Sequence, residues 1–258
     1  MAKMALCITR QDLVDLNRIL RYPELKGMLL AEAPEEFLRL ATSLQDRATC
    51  ETDSSLLQLL PYVLIQREDT GQYFMYCRGK GGAEARLHGN LSVGVGGHVD
   101  TDVEDNQGLF DLVADDLLIL LENTAMREVN EEVGIKFLSE DSDEDDESLN
   151  DSMAEPTDMW TGTLIYDDTN PVGQVHLGLL FTLVIPDASL LGDTEVGIIE
   201  GSQWITAKEL MAPEVFDRLE NWSKIVVQAL ATLDDEADSE EESIDESELF
   251  TMNSTKSV

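Results

Sequence analysis

The stretch AMREVNEEVGI, residues 125–135, carries the strongest structural signal in the chain. Its two valines are four residues apart, as on the buried face of a helix, and Gly134 is a residue type that commonly ends one. Glu131 and Glu132 would then lie in the last helical turn, where the helix dipole disfavours each acid by about 0.3–1 kcal/mol. Glu128 adds like-charge repulsion at spacings of three and four residues. A divalent cation among these carboxylates would turn the repulsion into attraction, so the stretch predicts a site for Mg²⁺ or Mn²⁺.

The same helix has a simpler alternative interpretation, a solvated acidic face. Arg127 and Glu131 have the i,i+4 spacing of a surface ion pair, and the remaining acids would face water. This alternative does not explain why acids gather next to the helix C-terminus, where each of them is locally unfavourable. Departures from local preference of this kind are expected at functional sites, which favours the metal-site interpretation.

Strand-like and helical patterns alternate along the rest of the chain. Two β-rich runs, YVLIQR and YFMYCR, flank the turn-like EDTGQ as in a hairpin, and the glycine-rich LSVGVGGHVD follows them. The helical pattern of residues 109–134 comes next, and β-rich runs resume between residues 160 and 207. Pro213 is expected to open a last helix. This order predicts an α+β domain over residues 58–233.

Residues 1–57 have a different pattern and are interpreted as an N-terminal helical extension. Thr9 and Asp12 resemble a helix start. Pro34 is followed by EEFLRLATSL, which is typical of a proline-led helix with acids in its first turn. We therefore expect these residues to add helices to the domain that follows them.

The charge of the chain is strongly negative and unevenly distributed. There are 53 acidic and 17 basic residues, and the formal net charge is -36. Residues 139–158 and 234–248 each contain ten acids and no Lys or Arg, so we expect a disordered insertion at 139–158 and a disordered tail at 234–258. Such a charge argues against binding to a nucleic-acid backbone, which requires a basic surface.

Cysteine usage and hydropathy indicate the cellular compartment. The three cysteines, Cys7, Cys50 and Cys77, form no C-x-x-C pair, which suits a reducing cytoplasm and offers neither a disulfide framework nor a zinc site. The longest apolar stretch, residues 56–65, is far shorter than the ~20 residues that span a bilayer. The chain is therefore predicted to be cytoplasmic and not anchored to a membrane. Its oligomeric state stays open, with a homodimer as one option.

Residues 127–134, REVNEEVG, match the second half of the Nudix box, the Arg-Glu-apolar-x-Glu-Glu-x-Gly signature of the Nudix hydrolases. GVGGHVD, residues 94–100, resembles the Gly-Gly strand end that precedes the box. Over about residues 58–232 the chain resembles a bacterial and phage subgroup of predicted Nudix phosphoesterases. The resemblance implies a mixed β-sheet packed between helices, an α/β/α sandwich. It also implies a hydrolase that cleaves a diphosphate linkage in a nucleoside diphosphate-linked or related phosphorylated small molecule with metal-activated water.

The resemblance assigns roles to residues around the helix. Glu128 and Glu132 would bind Mg²⁺ or Mn²⁺, and Glu131 would be a further ligand or the base that orients water. Arg127 would hold the carboxylates by ion pairing, and Gly97 would offer its carbonyl oxygen to the metal. Arg127, Glu128 and Glu131 are thus the predicted catalytic residues, which act by positioning and charge neutralisation.

Members of the family often recruit another acid from a later loop. Glu200 is the first choice for that metal ligand here and Glu195 the second, although either would equally suit an exposed loop. His98 and His176 have apolar, strand-like neighbours and are interpreted as core histidines. DDTNPVG, residues 167–173, is most simply a turn, from which Asp168 or Asn170 could reach the pocket.

Basic residues are scarce, and four of them cluster in YCRGKGGAEARLHG. Arg78, Lys80, Arg86 and His88 would form a cationic lip that binds phosphate oxygens not bound by metal, a task suited to the fork of arginine. Arg86 is the best single choice for this role. The alternative is a solvated hairpin whose basic residues balance local acids.

Two features depart from the usual Nudix box. Gly97 precedes Arg127 by 30 residues, because an acidic segment lengthens the box. Ile119 occupies the position eight before Arg127, where the first glutamate of the box belongs. Candidates for its supporting role are Glu122, Asp115 and Asp116. A second hypothesis is therefore a non-catalytic Nudix-fold module that senses a nucleotide or binds a protein, and in a third the acidic segments mimic the charge of a nucleic acid.

Overall fold

The structure, a computed structural model, describes most of the chain. The described residues are 3–20, 26–33, 35–40, 42–81, 87–99, 114–137, 153–154, 159–194 and 197–232. The predicted disordered tail lies outside them, and so does the predicted acidic insertion apart from Met153 and Ala154. Ala154 is buried, and its N–H donates to the carbonyl of Lys136 at 2.8 Å. In the described part, no helix has the length and apolar character needed to cross a membrane.

One β-sheet organises the fold, and its ten described strands come from both halves of the chain. The strands are β1 (Met4–Thr9), β2 (Met28–Glu32), β3 (Ser43–Asp46), β4 (Leu56–Arg67), β5 (Tyr73–Arg78), β6 (Leu91–Ser92), β7 (Gly94–Gly96), β8 (Trp160–Asp167), β9 (His176–Ile185) and β10 (Ile199–Ile205). The main path of the sheet has the order β10-β5-β4-β9-β8-β2. Neighbours on this path are antiparallel, except for the parallel pair β4 and β9.

β4 is the central strand, because it is long and pairs along both of its edges. One edge pairs in parallel with β9 from Gln58 to Arg67. The other edge pairs successively with β1, β7 and β5, all antiparallel. The predicted hairpin around EDTGQ is confirmed, since Gln66 of β4 and Tyr73 of β5 are partners across it.

Apolar side chains cover both faces of the sheet, and helices pack on each face. The helices are α1 (Arg10–Leu20), α2 (Arg47–Cys50), α3 (Ala114–Val133), α4 (Ala207–Leu210), α5 (Pro213–Phe216) and α6 (residues 221–232). One core contains Leu13 of α1 and Leu121 of α3. The other contains Leu210 of α4 and Val227 of α6. The predicted α+β fold, a mixed sheet between helices in an α/β/α sandwich, is therefore confirmed.

The long helix α3 presents three rows of side chains, each repeating every four residues. The first row is buried against the sheet and contains Leu117, Leu121, Ala125, Val129 and Val133. Glu128 and Glu132 form the adjacent row, and Arg127 and Glu131 form the row beyond it. The helix ends as predicted, because Gly134 takes the left-handed conformation (φ 75°) that commonly closes a helix.

The prediction of an N-terminal helical extension over residues 1–57 needs correction, because this segment also supplies strands. Thr9 does start α1, since its hydroxyl accepts a hydrogen bond from the backbone N–H of Asp12 at 3.0 Å. The preceding MALCIT is β1, however, and the proline-led pattern forms only a short 3-10 helix over Glu35–Arg39, followed by β3. A domain boundary at residue 57 would cut β4, and β1 and β2 pair with β4 and β8 of the same sheet.

The helix predicted from Pro213 is interrupted. α5 is a single turn, and α6 begins after Glu220. Between them Leu219 forms an isolated bridge with Leu91, and the N–H of Glu220 donates to the carbonyl of Leu91 at 2.9 Å. Pairing with the strand β6 thus stops the helical pattern and brings the start of α6 to the sheet.

Candidate active site

A cavity of about 780 Å³ lies beside the first half of β4. Its wall is formed by the end of α2, by β4, by the end of β5, by the segment after β7, by α3, by the turn before β9 and by the start of α6. A volume of this size is typical of small-molecule sites. The charged and amide-bearing side chains of its wall are Arg47, Glu51, Arg78, Asn90, His98, Glu128, Glu132, Asp167, Asn170, His176, Glu220 and Asn221.

α3 contributes Glu128 and Glu132 to the cavity wall. They are four residues apart, so both side chains project from one face of the helix. The Glu128 carboxylate packs closely against Gly97, since a Cβ atom at position 97 would lie 2.5 Å from its carboxylate carbon. Glycine is therefore part of the site's geometry, because any side chain at position 97 would displace that carboxylate.

Arg127 joins α3 to the segment after β7. Its guanidinium donates to Oε1 of Glu128 at 2.6 Å, to Oε2 of Glu131 at 2.8 Å and to the carbonyl of His98 at 3.1 Å. Partial burial lowers the pKa of Arg127, but the charges of Glu128 and Glu131 outweigh that effect and the net pKa is raised. Glu131 is 52% exposed and lies outside the cavity wall. The structure thus brings Arg127 and Glu128 together and leaves Glu131 on the solvent side.

Among the described residues of the predicted cationic lip, Arg78 is the one that lines the cavity. It closes β5, and its Nη1 donates to the hydroxyl of Tyr76 at 3.4 Å. Interaction with Tyr76, and then the charges of Glu220 and Glu132, raise the pKa of Arg78 against the effect of its burial. A permanent positive charge therefore lies in the wall that also contains the α3 carboxylates.

Three other predicted site residues, Lys80, His88 and Glu200, do not line the cavity. Lys80 is exposed and His88 is half-buried, and both lie outside its wall. Glu200 is exposed on β10 and also lies outside the wall. Arg86 and Glu195 fall outside the described residues.

The turn over residues 167–173 forms one wall and is held by its own polar side chains. Asp167 is fully buried and accepts hydrogen bonds from the N–H and hydroxyl of Thr169 at 2.9 and 2.6 Å. The side-chain amides of Asn170 and Asn221 also donate to Asp167. Oδ1 of Asn170 accepts from two backbone N–H groups of the turn, at 2.9 and 3.0 Å. These hydrogen bonds hold the turn in one conformation where it lines the cavity.

The start of α6 forms another wall, organised by a buried carboxylate. Glu220 caps α6, because its carboxylate accepts hydrogen bonds from the backbone N–H groups of Trp222 and Ser223, both at 2.9 Å. Its Oε1 also accepts from the hydroxyl of Tyr62 at 2.7 Å. Burial, reinforced by the charge of Glu220, raises the pKa of Tyr62 well above its usual range, so the phenol is a neutral donor. This network ties α6 to β4.

Two histidines and a glutamate meet inside the cavity. Nε2 of His98 and Nε2 of His176 each lie 3.8 Å from Oε1 of Glu51. The two rings are 5.3 Å apart, with an interplanar angle of 76°. Burial, together with the charges of Arg47 and His176, lowers the pKa of His98 to about 2, so its imidazole is neutral. Both histidines border a polar cavity. His176 is buried and hydrogen-bonded, in line with its interpretation as a core histidine, whereas His98 is partly exposed, which corrects that interpretation for His98.

Sequence reasoning missed Glu51, Asp167 and Glu220 as cavity residues. Each belongs to a different segment, and only the folded sheet brings the three segments together. A local signal did exist for His98, because it directly follows Gly97 and therefore had to lie near the predicted metal ligands. No comparable signal in the sequence distinguishes the other three from ordinary surface acids.

Comparison with known proteins identifies relatives of the chain, although no family model matches it. Protein YmaB of Bacillus subtilis (strain 168) is 35% identical over 184 residues, which cover 71% of this chain and 76% of that protein. Among solved structures, Tm1382, an inferred Nudix hydrolase, is 25% identical with a TM-score of 0.58, and 89% of this chain and 99% of Tm1382 are covered. DR0079 of Deinococcus radiodurans is 14% identical with a TM-score of 0.42, with coverage of 78% and 98%.

Proposed function

We propose that this chain, which belongs to the Nudix hydrolase superfamily, hydrolyses a diphosphate linkage in a nucleotide-derived or related phosphorylated small molecule. The reaction would use water and Mg²⁺ or Mn²⁺. One arrangement carries the proposal: Glu128 and Glu132 project from one face of α3 into the cavity wall, and Gly97 leaves room for the Glu128 carboxylate.

The chemistry of this arrangement fits a hard divalent cation. Carboxylate oxygens and backbone carbonyls are the ligands that Mg²⁺ and Mn²⁺ prefer, and Glu128, Glu132 and the carbonyl of Gly97 supply both kinds. The close approach of the Glu128 carboxylate to Gly97, which a Cβ atom would prevent, is the observation that supports this fit. When bound, such an ion supplies an activated water and neutralises charge on phosphate oxygens.

Arg127 and Glu131, near the C-terminal end of α3, would position the metal-binding carboxylates. Arg127 holds the Glu128 carboxylate with a hydrogen bond of 2.6 Å and reaches the carbonyl of His98, so it keeps α3 and the Gly97 segment in register. Glu131 is exposed and bonded to Arg127, which makes it a support for that arginine rather than a group that touches the reacting water.

The other walls of the cavity suit a phosphorylated substrate. Arg78 offers a planar guanidinium, whose fork of N–H groups matches phosphate oxygens. Asn221 and Trp222 line another part of the wall with an amide group and an aromatic ring. These groups suit the polar edge and the flat face of a nucleoside, which is the basis for proposing a nucleotide-derived substrate.

A substrate panel tests the proposal. The full-length protein is incubated with Mg²⁺ or Mn²⁺ and nucleoside triphosphates, nucleoside diphosphate sugars and dinucleoside polyphosphates, and products are separated by chromatography. We expect hydrolysis of at least one class, and a loss of roughly 100-fold or more in Glu132→Gln, because losing a ligand should exceed the effect of losing an outer partner. Glu68→Gln, an exposed acid outside the cavity wall, is the matched control.

Two results would contradict the proposal. One is the absence of product from every class with either metal. The other is a Glu132→Gln protein that hydrolyses its substrate as fast as the Glu68→Gln control.

A non-catalytic nucleotide-binding module is the second candidate function. Ile119, at the position of the first glutamate of the box, is 54% exposed and lies outside the cavity wall. Glu122 is half-buried and also outside the wall, and the side chains of Asp115 and Asp116 are not among the described ones. Calorimetry would then show nucleotide binding without turnover, and hydrolysis at enzyme-like rates would eliminate this candidate.

A further inference from the structure

We propose that Glu51, His98 and His176 form a second metal site in the cavity, which takes a first-row transition-metal ion such as Zn²⁺ or Co²⁺. The site is chemically distinct from the carboxylates of α3, because two of its three ligands are imidazoles. It stands on its own geometry and does not require the chain to hydrolyse a diphosphate.

Three separate elements bring these side chains together. Glu51 directly follows α2, His98 follows β7, and His176 opens β9. Gln58 of β4 pairs with His176 in the sheet. Because all three ligands are attached to elements that pack on or belong to the sheet, the site is preformed rather than built on a loose loop.

The spacing of the ligand atoms matches metal coordination better than hydrogen bonding. Both histidine Nε2 atoms lie 3.8 Å from the same oxygen of Glu51, beyond the ~3.2 Å limit of an ordinary hydrogen bond. All three ligand atoms lie within 4.8 Å of one another. Two ligand atoms that each lie ~2.1 Å from a tetrahedral ion are about 3.4 Å apart. The three ligand atoms would therefore have to move only slightly closer together to bind an ion.

His98 supplies an independent observation. Its Nε2 is buried and forms no hydrogen bond with any described residue. A buried polar atom of this kind costs about 1–3 kcal/mol unless a water or ion satisfies it.

His176 is oriented as metal-binding histidines commonly are. Its Nδ1 lies 2.8 Å from the carbonyl of Val172, which assigns the proton to Nδ1 and the lone pair to Nε2. The amide Nε2 of Gln58 donates to that lone pair at 3.1 Å in this structure. An ion would replace this bond, and the amide would keep the carbonyl of Val175, at 3.4 Å, as its acceptor.

The positive charge of Arg47 favours transition-metal ions over Mg²⁺ at this site. Nε of Arg47 lies 3.8 Å from the same oxygen of Glu51, so it opposes a bound dication. Mg²⁺ gains little from imidazole and would not overcome this repulsion, whereas Zn²⁺ and Co²⁺ bind imidazole well. Three protein ligands leave a fourth position open, which a water or a phosphate oxygen of the substrate can fill.

Cobalt spectroscopy of the full-length protein tests the site. We expect one equivalent of Co²⁺ to give the visible absorption of a four- or five-coordinate ion, and Zn²⁺ to displace it. His98→Ala should weaken Co²⁺ binding by roughly 100-fold or more, and Glu51→Gln should also weaken it, because each removes a ligand. His88→Ala is the matched control, since His88 lies outside the cavity wall.

The outcomes separate this site from the proposed hydrolase site. Glu132→Gln should keep the Co²⁺ spectrum even where it abolishes Mg²⁺-dependent hydrolysis. The proposal is overturned if Co²⁺ gives no visible band beyond that of the free aqueous ion, or if His98→Ala and Glu51→Gln, each folded by circular dichroism, bind Co²⁺ as tightly as His88→Ala does.

Discussion

The Glu128 carboxylate can lie where it does because residue 97 has no side chain. Arg127 fixes the same carboxylate from the other side by a hydrogen bond of 2.6 Å. A single methyl group at position 97 would therefore meet the end of a side chain that is already held. The end of a glutamate can swing away at little cost in packing, so the damage should be to the site rather than to the fold.

For Gly97→Ala we expect metal-dependent hydrolysis to fall by roughly 100-fold, because displacements of about 1 Å at a reacting centre have effects of that size. The free energy of unfolding should change by only about 1 kcal/mol or less. The rate is measured at saturating Mn²⁺, Mn²⁺ affinity by calorimetry, and stability by urea denaturation.

A double-mutant cycle provides the control for this prediction. In a Glu128→Gln background, adding Gly97→Ala should cause little further loss, because the carboxylate that the methyl group displaces is already gone. Full additivity of the two losses would show that Gly97 acts through some other contact.

The positions of individual site residues could be predicted where the spacing of the motif equals the repeat of a helix. Glu128, Glu132 and Gly97 line the cavity, and the helical spacing of the two glutamates places them on one face of α3. Their roles as metal ligands stay predictions. The outward position of Glu131 could also have been derived, since the buried valines of α3 determine how the helix is rotated. Glu51 could not, because nothing within its own segment points to the cavity.

Among the elements, α6 depends on one carboxylate at its first turn. Glu220 accepts hydrogen bonds from two backbone N–H groups of the helix and from the hydroxyl of Tyr62. The sequence predicted a continuous helix from Pro213, because PEVFDRLENWSK has a helical pattern throughout. Pairing of residues 218–220 with Leu91 overrides that local preference, which only the tertiary structure can reveal.

For Glu220→Ala we expect a loss of about 2–4 kcal/mol in the free energy of unfolding. The loss of a helix cap costs ~1 kcal/mol, and the buried hydroxyl of Tyr62 loses an acceptor at ~1–3 kcal/mol. Glu220→Gln keeps one side-chain oxygen and should cost clearly less. Chemical denaturation compares the two variants, and equal losses would show that hydrogen bonding at this position does not matter.

On the scale of the whole molecule, the N-terminal segment is built into the sheet rather than added to it. β1 pairs with the first residues of β4, and β2 pairs with β8. Leu6, Ile8 and Phe37 are almost fully buried in the core that also contains α3. The sequence did not predict this, because strands of four to six residues carry too few positions for a clear alternation. The α+β class was predictable from the strong patterns of the long helix and the later strands, whereas the layered sandwich was implied by the resemblance to the Nudix hydrolases.

We therefore expect a chain that begins at Thr52 not to fold. It would expose the edge of β4 that β1 covers and would lack the apolar side chains of β1 and α1. Thermal melting followed by circular dichroism should show no cooperative transition, in contrast to the full chain. A cooperative transition near that of the full chain would mean that residues 58–233 form an independent domain after all.

The wall of the cavity runs from Arg47 to Trp222, and this span has a consequence for synthesis of the protein on the ribosome. β4 emerges early, but its parallel neighbour β9 is made more than a hundred residues later. The pocket cannot close around a ligand until α6 has left the exit tunnel. We therefore expect the nascent chain to bind the proposed metal and nucleotide ligands only late in translation, so that ligand binding would report completed folding.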